Sequence, residues 1–192
     1  MIKLFKYLAF FTTLIASTQS CSNKNYTSSK YFNCDNTKFD QFQNDSTQII
    51  YEILLHACVN SKDIPDFVLL RDQKKIYVAN LFFKSSFSDK DTINYKQHSN
   101  LYAIPLNIGA VSFCLKSFTE LSDIADKKGD FVYIQLGHMT INNDKASIGI
   151  STNWMLPSNS KRLVLSGGGY IADFQKIDGK WTFIKKHNEW IS

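Results

Sequence analysis

His187 and Glu189 lie two residues apart in 180–191, a run that alternates as a strand does, so both side chains should leave the sheet from one face. Asp178-Gly179, just before it, is a strong two-residue hairpin signal. The register that this turn sets places Phe174 opposite Phe183 and Tyr170 opposite His187. Imidazole, carboxylate and phenol together could accept and return protons, which makes His187, Glu189 and Tyr170 the candidate catalytic residues. A solvated face flanked by Trp181 and Lys185 explains the same pattern, because no nucleophile or metal set converges on it. His138 shares a strand face with Val132, Ile134 and Leu136 and reads as a partly buried histidine; with Trp154 it is a candidate for ligand contact.

Other chemistry-bearing runs fall short of a motif. Ser166-Gly167-Gly168-Gly169 has neither the helix N-terminus that must follow a phosphate cradle nor the Gly-x-Ser-x-Gly context of a nucleophile elbow. Three glycines inside a strand read instead as a bulge or bend that curves the sheet. Asp63, Asp66 and Asp72 lack the ligand spacing and central glycine of a calcium loop, and loop solvation explains them. His56 and Cys58, two apart on a helix, project from different faces and do not form a metal pair. No metal and no cofactor is expected.

The chain carries four cysteines, Cys21, Cys34, Cys58 and Cys114. A basic start at Lys3 and Lys6, an apolar run over 8–16 and small side chains at Thr18 and Ser20 read as an export signal over residues 1–20. The apolar run is too short for a permanent membrane span. Signal and cysteine together resemble the bacterial lipoprotein pattern, in which the thiol after the cleavage point is acylated. Thr18 stands where that pattern usually has an aliphatic residue. The resemblance implies a mature N-terminus at Cys21, anchored in the cell envelope by several acyl chains, since one chain alone binds a membrane only marginally. The alternative is a secreted protein whose Cys21 pairs with another cysteine. An oxidising compartment permits a disulfide, and Cys34 with Cys58 is one available pairing; three buried or unpaired thiols are the other reading.

Without residues 1–20 the 192-residue chain keeps 172, enough for one domain with its own core, and the formal charge falls from +5 to +3. No basic cluster with interleaved aromatics remains, which argues against nucleic acid as a partner. Residues 21–46 are rich in Ser, Asn, Thr, Lys and Asp and read as a polar tether, leaving 47–192 as a single α+β domain. A hydroxyl cap at Ser46 or Thr47 opens a helix with Ile49, Ile50, Ile53, Leu54 and Ala57 on its apolar face and Glu52, His56 and Asn60 opposite, ending before Pro65. Residues 67–70 and 76–80 read as a hairpin, 85–100 as a polar loop, and 101–115 as strand and turn pieces. Ser117 or Thr119 should cap a short helix through Leu121, Ile124 and Ala125 that stops at Gly129.

Four β-rich runs then follow as an antiparallel meander. Closing the loop at 142–145 pairs Ile141 with Ala146, Met139 with Ile148 and Tyr133 with Trp154. The expected fold is thus two helices packed on a curved antiparallel sheet. An early helix and a curved meander ending in Gly179-Lys180-Trp181 resemble the cone of the nuclear-transport-factor-2-like superfamily, over the meander only. The whole chain resembles small lipoproteins of Bacteroidota-type bacteria through its Cys-ended signal, its Ser-Gly-Gly-Gly run, Asp178-Gly179-Lys180-Trp181 and Trp190-Ile191-Ser192. The expectation is an exported, membrane-anchored, non-enzymatic module that binds a small ligand or an envelope partner on the concave side of its sheet. The alternative is a small envelope hydrolase or isomerase using acid–base residues in a cone-shaped pocket.

Overall fold

The computed structural model describes residues 34, 39–41, 43–80, 82–84, 96–98, 102–162 and 167–191. The export signal, Cys21, most of the tether, most of the 85–100 loop and Ser166 lie outside them. Helix α1 (Asp45–Leu54) starts two positions earlier than a Ser46 cap would allow and three earlier than a Thr47 cap would. Asn44 is the cap: its side chain accepts from Thr47 N–H, and the Thr47 hydroxyl accepts in return from Asn44 N–H. Ile49, Ile50, Ile53 and Leu54 are fully buried, each worth roughly 1.5–3 kcal/mol relative to exposure. The helix then widens into a π-helical turn, Leu55–Asn60, closed by Ser61 N–H donating to the His56 carbonyl at 2.9 Å.

The sheet is mixed rather than wholly antiparallel. Phe67–Leu69 is a 3₁₀ turn, so the hairpin expected over 67–80 does not exist. Strand β1 (Lys75–Ala79) instead runs parallel to β5 (Val111–Lys116) and to β6 (Phe131–Asn142) and lies between them. Parallel neighbours need a crossover, and helix α2 (Phe118–Lys128) supplies it between β5 and β6. Ser117 caps α2 in a capping box with Glu120, and Gly129 at φ +91° ends it, as the sequence indicates. Two short strands, β2 (Phe82–Lys84) and β3 (Lys96–His98), pair with each other, and β4 (Asn107–Ile108) pairs antiparallel with β5. With β7 (Lys145–Met155), β8 (Gly168–Ile177) and β9 (Lys180–Ile191) the large sheet is ordered β4-β5-β1-β6-β7-β8-β9. The α+β class holds: α1 lies over one face of the curled sheet, and α2 packs Leu121, Ile124 and Ala125 on Tyr77, Cys114 and Tyr133 of the other.

The meander is present, with three one-residue shifts that the turns alone do not reveal. Ile141 meets Ala146 and Met139 meets Ile148 as expected, but Gly137 and His138 together oppose Gly149, so Val132 rather than Tyr133 faces Trp154. Asp178 at φ +49° and Gly179 at φ +78° form the expected turn, and Phe174 does face Phe183. Ile184 is then an extra residue in β9. A second shift near Asn188, at φ +49°, follows it. His187 therefore faces Ile171, not Tyr170.

Candidate functional site

Because Ile171 follows Tyr170 in a strand, the two side chains leave opposite faces of the sheet, and His187 goes with Ile171. The structure therefore does not bring together the three residues that the uninterrupted register would. On the face away from α1, His187 Nε2 lies 3.1 Å from Asp173 Oδ1, which also accepts from the Ser147 hydroxyl at 2.9 Å. Lys185 completes this open group with its ammonium 3.9 Å from Asp173 Oδ2. Glu189 is about half exposed and pairs with Lys186 Nζ at 3.0 Å. His138 is exposed rather than partly buried, because the Gly137–His138 bulge turns Met139 inward in its place. Trp154 is half-buried against the core with its indole N–H buried and without a described partner. Trp181, expected on a solvated face, is buried beneath α1.

Tyr170 belongs to a different cluster, centred on Asp63. Its hydroxyl donates to Asp63 Oδ1 at 3.0 Å, and the Lys186 ammonium sits 3.5 Å from Asp63 Oδ2 and 5.5 Å over the Tyr170 ring. Burial, reinforced by the neighbouring Asp63 carboxylate, pushes the Tyr170 phenol well above the usual range, so it serves as a hydrogen-bond donor and not as a base. Glu189 and Asp63 hold the Lys186 ammonium above its ordinary value.

His56, assigned by pattern to the solvent side of the helix, turns toward the sheet instead. Its ring stacks on Phe183 with centroids 3.7 Å apart, and Nε2 lies 3.4 Å from Asp63 Oδ2. That contact is within ion-pair range but off the line of a hydrogen bond. Nδ1 on the other side of the ring is 3.1 Å from the exposed Ser61 hydroxyl. The π-helical turn makes this contact: an i→i+5 backbone bond sets Ser61 directly over His56, where α-helical spacing would carry it away.

The backbone around Asp63 is unusual. Lys62 at φ +52° and Asp66 at φ +58° both occupy the left-handed region without being glycine. Such conformations cost of order 1–3 kcal/mol each and persist only where surrounding contacts enforce them. Two contacts fix this loop: Thr152 donates to the Pro65 carbonyl at 2.7 Å, and Gly168 passes so close beneath Pro65 that a Cβ there would lie 2.6 Å from the proline ring. The glycine run thus admits the loop onto the sheet. Next to it, Gly169 lies under the Trp190 ring, where a Cβ would be 2.5 Å from Cζ2.

Cys34 is bonded to Cys114, with Cα atoms 4.7 Å apart, and not to Cys58. The reason is facial: Cys114 points to the α2 side of the sheet, where Cys34 packs, while Cys58 is buried in the core beneath α1. Burial and the Asp63 charge raise the Cys58 thiol far above its ordinary value, so it is inert. A cleft of about 200 Å³ at the start of α1, bounded by Asn44, Thr47 and Tyr102, shares no residue with either polar cluster. Among the described residues the α1-facing side of the sheet is filled by the core, no group of three metal-ligating side chains occurs, and no helix is long and apolar enough to cross a membrane. No family model, curated protein or solved structure matches this chain.

Proposed function

We propose that the chain is exported and held to a membrane of the cell envelope through an acylated Cys21, and that its folded part binds a small ligand or an envelope partner. The observation that carries the anchoring is the cysteine pairing. Cys34 and Cys114 take each other and Cys58 is sealed in the core, so none of the described cysteines is left exposed as a disulfide partner, which supports the acylated reading of Cys21 over the paired one. A disulfide is also a feature of oxidising compartments, which supports export. Mass spectrometry of the mature N-terminus is the test. An acylated Cys21 peptide is expected; a free amine and thiol at Cys21, or a disulfide from Cys21 to a second chain, would defeat the anchor.

The Asp63 cluster, mostly buried but reached from solvent at Ser61 and held by a strained loop, is the place where binding is best supported. The second reading, an envelope hydrolase or isomerase, has one specific observation in its favour. The Ser61 hydroxyl is within hydrogen-bond distance of His56, whose other ring nitrogen lies in ion-pair range of Asp63, on the opposite face of the sheet from His187.

A further inference from the structure

We infer that Ser61 is a nucleophile, with His56 Nδ1 as its base and Asp63 behind His56, acting on short, solvent-accessible carboxylic esters. The inference rests on the second reading and names its reacting atom.

Three features carry it. The nucleophile and base are in contact, 3.1 Å apart, and Ser61 is exposed so that a substrate can reach it. The Asp63 carboxylate beside Nε2 favours the tautomer with its proton there, which leaves the Nδ1 lone pair facing the Ser61 hydroxyl. Asp63 is itself positioned by the Tyr170 hydroxyl and the Lys186 ammonium, while Phe183 fixes the imidazole plane. Base–carboxylate contacts are commonly longer and less well aligned in a free enzyme than in the substrate complex, so a 3.4 Å ion-pair contact that must rotate into a hydrogen bond fits the role.

In the first half-reaction Ser61 Oγ bonds to the ester carbonyl carbon while its proton passes to His56 Nδ1. The ester C–O bond then breaks, and the departing alkoxide takes that proton and leaves as an alcohol. Water adds to the seryl ester in the same way, Nδ1 receives its proton, and the carboxylic acid departs as the proton returns to Ser61 Oγ. The two steps consume one water and need no other reactant.

The test uses the full mature chain with p-nitrophenyl acetate for turnover and a fluorophosphonate probe for covalent capture, the adduct being located by peptide mass spectrometry. The expected result is one adduct, on Ser61, together with hydrolysis that Ser61→Ala abolishes without moving the melting temperature. His56→Gln should slow both labelling and hydrolysis by about 10²–10⁴-fold, the usual contribution of a positioned base. Because His56→Gln also removes the Phe183 stack, Ser61→Ala is the deciding variant. Turnover that survives Ser61→Ala but is lost in His56→Gln would overturn the nucleophile and leave an acid–base site. A wild-type chain with neither turnover nor adduct would overturn both, leaving the binding module alone.

Discussion

Cys34→Ser should strip the fold of its one covalent closure among the described residues. Cys34 is the better partner to change because it is only partly buried, whereas Cys114 is wholly enclosed in β5 and a hydroxyl there would add a burial cost of its own. The bond joins positions 80 residues apart, and the chain-entropy relation for a loop of that length gives about 4.5 kcal/mol at room temperature. Native disulfides commonly deliver somewhat less, about 2–4 kcal/mol, because the unbridged chain is not a free coil. At about 2–4 °C per kcal/mol for a domain of this size, the expected fall in melting temperature is on the order of 5–15 °C. Circular-dichroism melts of mature wild type and Cys34→Ser measure it, and peptide mapping of the unreduced wild type identifies the linked pair. A Cys34–Cys58 peptide would refute the facial argument that places Cys58 beneath α1. A correct link with an unchanged melting temperature would refute the energetic one.

Gly179→Val should cost about 1–3 kcal/mol, because φ +78° is accessible to glycine and strained for a β-branched residue; nothing lies within 4 Å of the added Cβ, so the penalty is purely one of backbone. A melting temperature equal to that of wild type would show that the 178–179 turn does not set the β8–β9 register. Asp45 is held below the usual carboxylate range first by its hydrogen bond from Lys176, at 2.7 Å, and this ties the start of α1 to β8. Since its folded value is depressed, the stabilisation is present at neutral pH and is lost as pH falls below about 4 toward and through that lowered value. The pair is partly exposed and screened by salt, so the effect should be small. Urea midpoints of wild type and Asp45→Asn should converge as pH drops from 6 to 3; a constant gap would remove the ion pair from the account.

The parts of the fold that local chemistry dictates were readable from the sequence. Gly129 ends α2, Ser117 or Thr119 marks its start, and Asp178-Gly179 fixes the last turn, because each signal and its effect lie within a few residues of each other; the capping box with Glu120 selects Ser117. The first helix was readable but its cap was not, since Asn44, Asp45, Ser46 and Thr47 are all capping types and the capping box with Thr47 selects Asn44. Bulges leave no reliable compositional mark: Ile184 looks like any strand residue, yet it shifts the β9 register by one place ahead of His187. The parallel placement of β1 depends on partners that follow much later in the chain, and a short apolar run beside another reads more simply as a hairpin. The Asp63 cluster was hidden for the same reason. Tyr170 reaches Asp63 across 107 residues, and the one local hint, the His56–Ser61 spacing of five, has meaning only once a π-helical turn is known.

The placement of β1 also bears on the order of assembly. Strands β6 to β9 are joined by tight turns, so their pairing closes only short loops and should be fast, whereas β1 must find β5 and β6 after long stretches of chain have been closed. The first strand of the sheet to leave the ribosome, or to cross a membrane, is therefore expected to dock among the last. Until it does, the edge of β6 stands open with Val132, Ile134 and Leu136 beside it, a surface to which another chain could add. Pulsed hydrogen exchange during refolding should protect β8 and β9 amides ahead of those in β1; simultaneous protection would contradict this order. Weakening β1, for example with Val78→Ala, should then show itself more in aggregation during refolding than in lost meander structure.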